Sequence, residues 1–194
     1  MRKNLTFLSL LLLTAISATA QTIGVNTIDK AAGTRLIMTS NHDGGTIDLS
    51  DSVAKDGTIF FSAGYQEAVV HGKEVGSYFI DLNILHNDNK LGCLREATSK
   101  IVLSLSDGSE MECFQVSESD CGAEAFRGTF ALIPKGGSTA DMDKNFQKLI
   151  TTEIEDIKVI ATEGTLHYNI RSKQRKYLKN HFALVDKTIK EAVK

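Results

Sequence analysis

The chain reads as a mainly β protein of the α+β class: antiparallel, sandwich-like sheets with two helices near the C-terminus. Three observations predict this. Short stretches of alternating apolar and polar residues recur along the chain. Gly, Asp and Asn separate them as turn signals. Apolar residues at helical spacing appear twice after Gly136-Gly137.

Residues 1–20 are expected to be a secretory signal peptide. Arg2 and Lys3 supply the positive start, Leu5 to Ile16 the apolar stretch, and Ala18-Thr19-Ala20 the small residues at the cut. That stretch is short of the roughly 20 apolar residues a spanning helix needs, and Thr6 and Ser9 interrupt it. Gln21 follows the predicted cut where a lipid-anchored protein would have cysteine. The expected mature product is exported, periplasmic or extracellular, with no transmembrane span.

Strands are predicted at Thr34–Thr39, Thr46–Leu49, Thr58–Ser62 and Tyr78–Ile84, with His42-Asp-Gly-Gly45 and Asp56-Gly57 as intervening turns. In the last of these Tyr78, Ile80, Leu82 and Ile84 share one face while Asp81 and Asn83 take the other. Lys100–Ser106 and Ser109–Val116 flank Asp107-Gly108, which predicts a hairpin with a two-residue turn. That register sets Ile101 opposite Phe114 and Val102 opposite Cys113. Phe126–Ile133 is a further strand, ending at the only proline, Pro134.

Ser138-Thr-Ala-Asp141 has the character of a capping box, and Met142, Phe146, Leu149 and Ile150 form an apolar stripe behind it. A second hairpin is predicted from Ile157–Thr162 to Thr165–Ile170 around Glu163-Gly164. The last helix is expected to start near Ser172, with Leu178, Phe182, Val185, Ile189 and Val193 on one face. Residues 21–194 are read as a single domain, because the helix–hairpin–helix portion at 135–194 is small for a core of its own.

Loss of Arg2 and Lys3 leaves 20 basic and 24 acidic residues, a net charge of −4, which argues against a nucleic-acid binder. The charge is uneven. His167–Lys194 carries eight basic residues against Asp186 and Glu191, so +6, and Gln21–Leu166 therefore carries −10. A basic helix beside an acidic body explains this. The alternative is an anionic partner held by Arg171, Lys173, Arg175, Lys176 and Lys179. Three cysteines in an oxidising compartment allow one disulfide and leave one thiol over. Cys93–Cys121 is the preferred pairing, because Cys113 reads as a buried strand residue.

Gly33–Ser40, Tyr78–Ile84, the Asp107-Gly108 hairpin and Ile154–Val159 together resemble uncharacterised exported proteins of Bacteroidetes-type bacteria. The resemblance lies in strand and turn patterns across most of the mature chain. It implies export and a β-rich fold, and transfers no catalytic residue.

No catalytic or metal pattern is complete. Ser52-Val-Ala-Lys55 matches the S-x-x-K of serine acyl enzymes but lacks their S-D-N and K-T-G partners. His42, His71, His86, His167 and His181 include no pair two or four apart, so no single turn presents two ligands. His86 with Asp88 is the nearest local pair. Asn87–Gly92 fails as a calcium loop because Leu91 stands where an oxygen ligand is required, and Asp48, Asp51 and Asp56 read as turn and cap residues. No P-loop, G-x-G-x-x-G or G-x-S-x-G occurs, and no cofactor is expected. The expected function is a non-enzymatic exported binding or envelope-associated module, whose partner is a protein or glycan of the cell envelope. Two alternatives stand beside it. One is a small hydrolase whose site assembles only in three dimensions, from residues such as Ser52, His71, His86 and Asp81. The other is a structural partner using the basic C-terminal helix.

Overall fold

The computed structural model describes residues 21–40, 47–48 (backbone only), 58–86, 90–122 and 124–192. The expected signal peptide, the Ser52–Lys55 motif, His42, Asp51, Asp56, Asp88 and Val193 lie outside the described residues. The strands are β1 (Ile23–Asp29), β2 (Thr34–Thr39), β3 (Ile47–Asp48), β4 (Thr58–Val70), β5 (Lys73–Leu85), β6 (Lys100–Leu105), β7 (Glu110–Gln115), β8 (Ala125–Ala131), β9 (Ile154–Ile160) and β10 (Thr165–Asn169). Helix α1 is Thr139–Leu149 and α2 is Tyr177–Glu191.

Among the described residues the protein is mostly antiparallel β with two helices, and the strands form one sheet. Their order is β1-β2-β4-β5-β8-β7-β6-β9-β10, with β3 paired to the start of β4. The layers predicted as sandwich-like are parts of this single sheet, which curls until β10 comes back near β3. Curling follows from the pattern of side chains. Successive residues point to opposite faces, and on one face every central strand is apolar. Ile59, Phe61 and Ala63 of β4 meet Ile84, Leu82 and Ile80 of β5 across the ladder. Phe126 and Phe130 of β8 continue that face, as do Ile101 and Leu103 of β6 and Val159 and Ile157 of β9. A flat sheet would leave this surface wet, so it closes on itself and on the helices. The hairpin β9–β10 belongs to the same sheet through β6, so the 135–194 portion shares the main core.

Both helices close the open side. Ser138 caps α1: its hydroxyl accepts from Asp141 N at 3.2 Å, and the Asp141 carboxylate accepts from Ser138 N at 3.0 Å. Met142, Phe146 and Leu149 are buried beneath it. Phe146 stacks on Tyr78 at 3.9 Å and meets Phe182 of α2 edge-on at 6.0 Å. Leu178, His181, Phe182 and Val185 form the buried face of α2. His181 Nδ1 lies 2.6 Å from Thr39 Oγ1, and that oxygen accepts from Ala63 N at 3.0 Å, so one histidine ties α2 to β2 and β4.

Two sequence expectations are corrected. The β6–β7 hairpin pairs Ile101 with Cys113 and Val102 with Glu112, one residue away from the predicted register. Its loop has three residues, Ser106-Asp107-Gly108, because only Gly108 takes a positive φ (81°) there. Gly108 N donates to Leu105 O and Leu105 N to Ser109 O, the bonds of a tight turn followed by a bulge. Helix α2 begins at Tyr177, five residues after Ser172. Residues 172–176 form successive tight turns, with Gln174 N donating to Arg171 O and Tyr177 N to Gln174 O. Tertiary bonds fix that path: Arg175 O accepts from Ile154 N, while the Arg175 side chain reaches Glu155 Oε1 at 2.5 Å and Ile170 O.

Candidate functional site

The segments predicted as separate strands, Thr58–Ser62 and Tyr78–Ile84, are the inner halves of one long hairpin. β4 and β5 pair without interruption from Thr58–Leu85 to Val70–Lys73. The turn His71-Gly72 closes it with both residues at positive φ (52° and 76°), as a type I′ turn requires. Neighbouring strands stop short of that turn. β2 pairs β4 only as far as Glu67, and β8 pairs β5 only from Phe79 onward. The outer third of the hairpin therefore forms a two-stranded ribbon whose β5 edge is unpaired and whose β4 edge has only the β1–β2 turn beside it.

The ribbon carries one exposed valine on each face. Val69 and Val70 alternate in direction and are each 48% exposed. The turn of the β1–β2 hairpin lies alongside, close enough that a Cβ on Gly33 would sit 2.9 Å from a Val69 methyl. Ile28, 59% exposed, lies on the Val69 face because the register aligns it with Arg35 and Glu67. Three of the five large exposed apolar side chains among the described residues thus gather at one end of the sheet.

Beside the ribbon, between β5 and the start of α1, is an open cleft of about 360 Å³ lined by Tyr65, Tyr78, Asp143 and residues 73–76 of β5, with Thr139 at the helix lip. Its floor is a cross-strand aromatic arrangement. Tyr65 faces Tyr78 with ring centres 5.0 Å apart, and the ring of Tyr65 lies across Gly76. A Cβ at Gly76 would stand 2.7 Å from the Tyr65 hydroxyl, so glycine is what lets that ring lie down. The Tyr65 hydroxyl donates to Glu67 Oε2 at 2.9 Å. Burial first, then the Glu67 hydrogen bond and charge, push the Tyr65 hydroxyl well above its usual range. The Tyr78 hydroxyl is raised as well, by burial first and then by the charges of Asp143 and Asp186. Burial is the larger cause of both shifts, and the neighbouring carboxylates add to it.

A second recess of about 390 Å³ lies on the outer face of the sheet, lined by Asp81, Ser117, Glu118, Asp120, Arg127 and Thr129, with Gly128 at its base. Asp81 is 5% exposed; its Oδ1 accepts from Thr129 Oγ1 at 3.1 Å, and its Oδ2 lies 3.7 Å from the exposed Arg127 guanidinium. The segment after β7 forms the wall. Gln115 Nε2 donates to Glu118 O at 3.1 Å, and Asp120 accepts from Gly122 N and Arg127 N. A Cys93–Cys121 disulfide pins this wall to the 90–94 segment, where Leu94 and Asp120 exchange backbone bonds. Asp81, Thr129, Asp120 and the Gln115 amide nitrogen answer other groups of the chain, which gives these side chains a structural role.

Residues singled out from the sequence are scattered. Cys113 is buried with a free thiol, and burial holds its pKa far above the usual range. His71 sits in the hairpin turn and His86 beyond the other end of β5, with about 40 Å of extended strand between them. His86 packs against Phe126 on the core side, whereas Asp81 points to the opposite face. His71, His86 and Asp81 therefore do not converge, and Ser52 is outside the described residues. Among the described residues no three His, Cys, Asp or Glu side chains gather as a metal site. The basic segment is partly engaged within the chain. Arg175 bonds Glu155, Lys176 lies 3.8 Å from Glu153, and Lys179 donates to Thr151 O, while Lys173 is exposed. Arg171 is likewise not free. No helix among the described residues is long and apolar enough to cross a membrane.

Sequence reasoning passed over Val69, Val70, Tyr65 and Gly76. A signal existed for the ribbon: Ala68-Val69-Val70 followed by a glycine-containing pair reads as a strand running into a hairpin turn. No protein-family model matches the chain, nor does any curated protein or solved structure.

Proposed function

We propose that the protein is a non-enzymatic exported binding module that holds a protein of the cell envelope through the β4–β5 ribbon. The single observation behind this reading is the ribbon itself. It extends past the last pairs it makes with β2 and β8 and exposes Val69 and Val70 on opposite faces, beside Ile28. Exposed apolar side chains cost solvation free energy that a folded chain normally recovers by burial, so a concentration of them at one end favours a docking function. Export rests on the N-terminal signal pattern and accords with the Cys93–Cys121 bond.

The test is site-specific photo-crosslinking in intact cells that export the protein. A benzophenone amino acid replaces Val70 in one variant and Lys187, on the exposed side of α2, in another. The Val70 position is expected to give a discrete protein adduct and Lys187 none, and Val69→Asp is expected to abolish the Val70 adduct. Equal labelling from both positions, or none from Val70, overturns the reading.

A further inference from the structure

The cleft has one wall made of open strand edge. Tyr78 turns its backbone toward β8, where its carbonyl accepts from Leu132 N at 3.0 Å and its N–H meets Met142 Sδ at 3.0 Å. Backbone direction alternates along a strand, so Gly76 and Glu74 present their N–H and C=O groups on that same side. β8 has no residue opposite them, since its pairing with β5 ends at Phe79–Ala131. The open edge runs along the cleft, and both residues line it. An open edge of this kind is a template for another strand.

Charge and side-chain alternation indicate what would lie there. On the concave face of the edge stand Glu74, Gly76 and Tyr78, with Tyr65 behind and Asp143 opposite on α1. Glu67 is bonded to the Tyr65 hydroxyl, and Lys73 is the one cation lining the cleft among the described residues. The capping box meets Ser138 N and Asp141 N and sets the Asp141 carboxylate in the first turn of α1, a negative charge that disfavours an anion there. On the other face of the edge Val75 stands opposite Ala68 with Val70 beyond, an apolar patch flanked by Lys73 and Ser77. We infer that the β5 edge from Lys73 to Ser77 accepts an extended peptide as an added strand. Its cationic side chains lie over Glu74, Asp143 and the two tyrosine rings, and its alternate, apolar side chains lie beside Val75. Main-chain bonds to Glu74 and Gly76 supply the affinity, while the alternation of basic and apolar residues supplies the selectivity. This rests on the binding-module reading and specifies its mode.

The probe is an end-blocked heptapeptide of alternating Lys and Val, compared with its Glu–Val counterpart, against the full mature chain. Backbone amide exchange is read by NMR. At about 1 mM Lys–Val peptide, exchange at Glu74 and Gly76 is expected to slow at least about tenfold, with no slowing by the Glu–Val peptide. Glu74→Pro removes one edge donor while leaving the β4 ladder intact, because the lost N–H faces away from β4. This variant is expected to weaken binding about tenfold or more, with its β4–β5 amides still protected as the control on folding. The double variant Glu74→Gln, Asp143→Asn keeps the edge and is expected to lose the preference for the Lys peptide. Unchanged exchange at Gly76, or equal response to the two peptides, overturns the inference. Crosslinking separates this from failure of the broader reading. An adduct from a benzophenone at Val70 with none from one at Thr139, on the cleft lip, leaves the ribbon as a docking site and rejects the added strand.

Discussion

Asp107 shows how one side chain both shapes a turn and makes it sensitive to pH. Its carboxylate accepts from Ser109 Oγ at 2.6 Å and Ser109 N at 3.1 Å, and Lys148 Nζ lies 3.1 Å away on α1. These partners, the Ser109 hydrogen bonds first, lower its pKa to about 2. An acid whose folded pKa is depressed contributes stability above its unfolded pKa and loses that contribution as pH falls through the folded value. The window here runs from about pH 4 down to about pH 2. Asp107→Asn keeps an acceptor for Ser109 but no charge, so it is expected to unfold at a lower urea concentration than the wild type at pH 7. Below pH 2 the two midpoints are expected to coincide, and a gap that persisted there would exclude the carboxylate charge as its cause. Asp156 behaves oppositely: burial raises its pKa, its Oδ1 has no hydrogen-bond partner among the described residues, and His167 Nδ1 stands off at 3.9 Å. Its ionisation opposes folding as pH rises above the ordinary carboxylate value, the reverse of Asp107.

At the scale of elements, the local signals readable in the sequence were those whose cause is local. The Ser138–Asp141 capping box starts α1 because both hydrogen bonds close within four residues. The β6–β7 register was also legible in principle. Ile101, Leu103 and Leu105 with Met111 and Cys113 put every buried position on odd numbers, and pairing odd with odd requires an odd-length loop. A two-residue turn would have set buried Ile101 against half-exposed Phe114. The long hairpin was hidden because Ser62-Ala63-Gly64 interrupts the apolar alternation of β4, and the ring of Phe79 from the opposite strand fills the space over Gly64. The cleft was beyond sequence reading altogether. Tyr65 and Gly76 meet only through pairing across the hairpin, and α1 arrives from more than sixty residues away to form the far wall. The Cys93–Cys121 bond acts at this scale too. It spans a sequence separation of 28 and fastens the loop wall beside Asp120 to the segment around Leu94. Chain-entropy arguments put the stabilisation from closing such a loop at about 3–4 kcal/mol. Cys93→Ser with Cys121→Ser is expected to lower the unfolding free energy by that order, measured by urea denaturation, and added reductant is expected to do the same to the wild type and nothing to the variant.

For the whole molecule, the question is whether the last sixty residues form an independent unit. They contain α1, β9, β10 and α2, and a chain segment of that length is marginal as a separate core. The sheet argues for one unit. β9 pairs β6 from Lys100–Ile160 to Leu105–Ile154, so removing the last sixty residues would strip β9 and β10 from the sheet and leave β6 as an open edge. α2 covers Phe61 with His181, and α1 covers Tyr78 with Phe146, so the helices seal the apolar face of β4 and β5. Leu166 and Tyr168 of β10, both fully buried, belong to the same cluster as Ile101, Cys113 and Phe130. Exposing either part therefore exposes the other, and unfolding is expected to be a single cooperative transition. Cys113 provides a probe within the N-terminal strands, because its buried thiol reacts only when that part of the core opens. Tyr168 and Tyr177 lie in the C-terminal portion. A Tyr168→Phe, Tyr177→Phe variant identifies the C-terminal part of the near-ultraviolet tyrosine signal by difference. In a urea series, the midpoint of that signal is expected to coincide with the midpoint for Cys113 labelling and with that of far-ultraviolet circular dichroism. A tyrosine transition that preceded Cys113 exposure would instead mark 135–194 as a unit that detaches first, and the shared core described by β6–β9 pairing would be wrong.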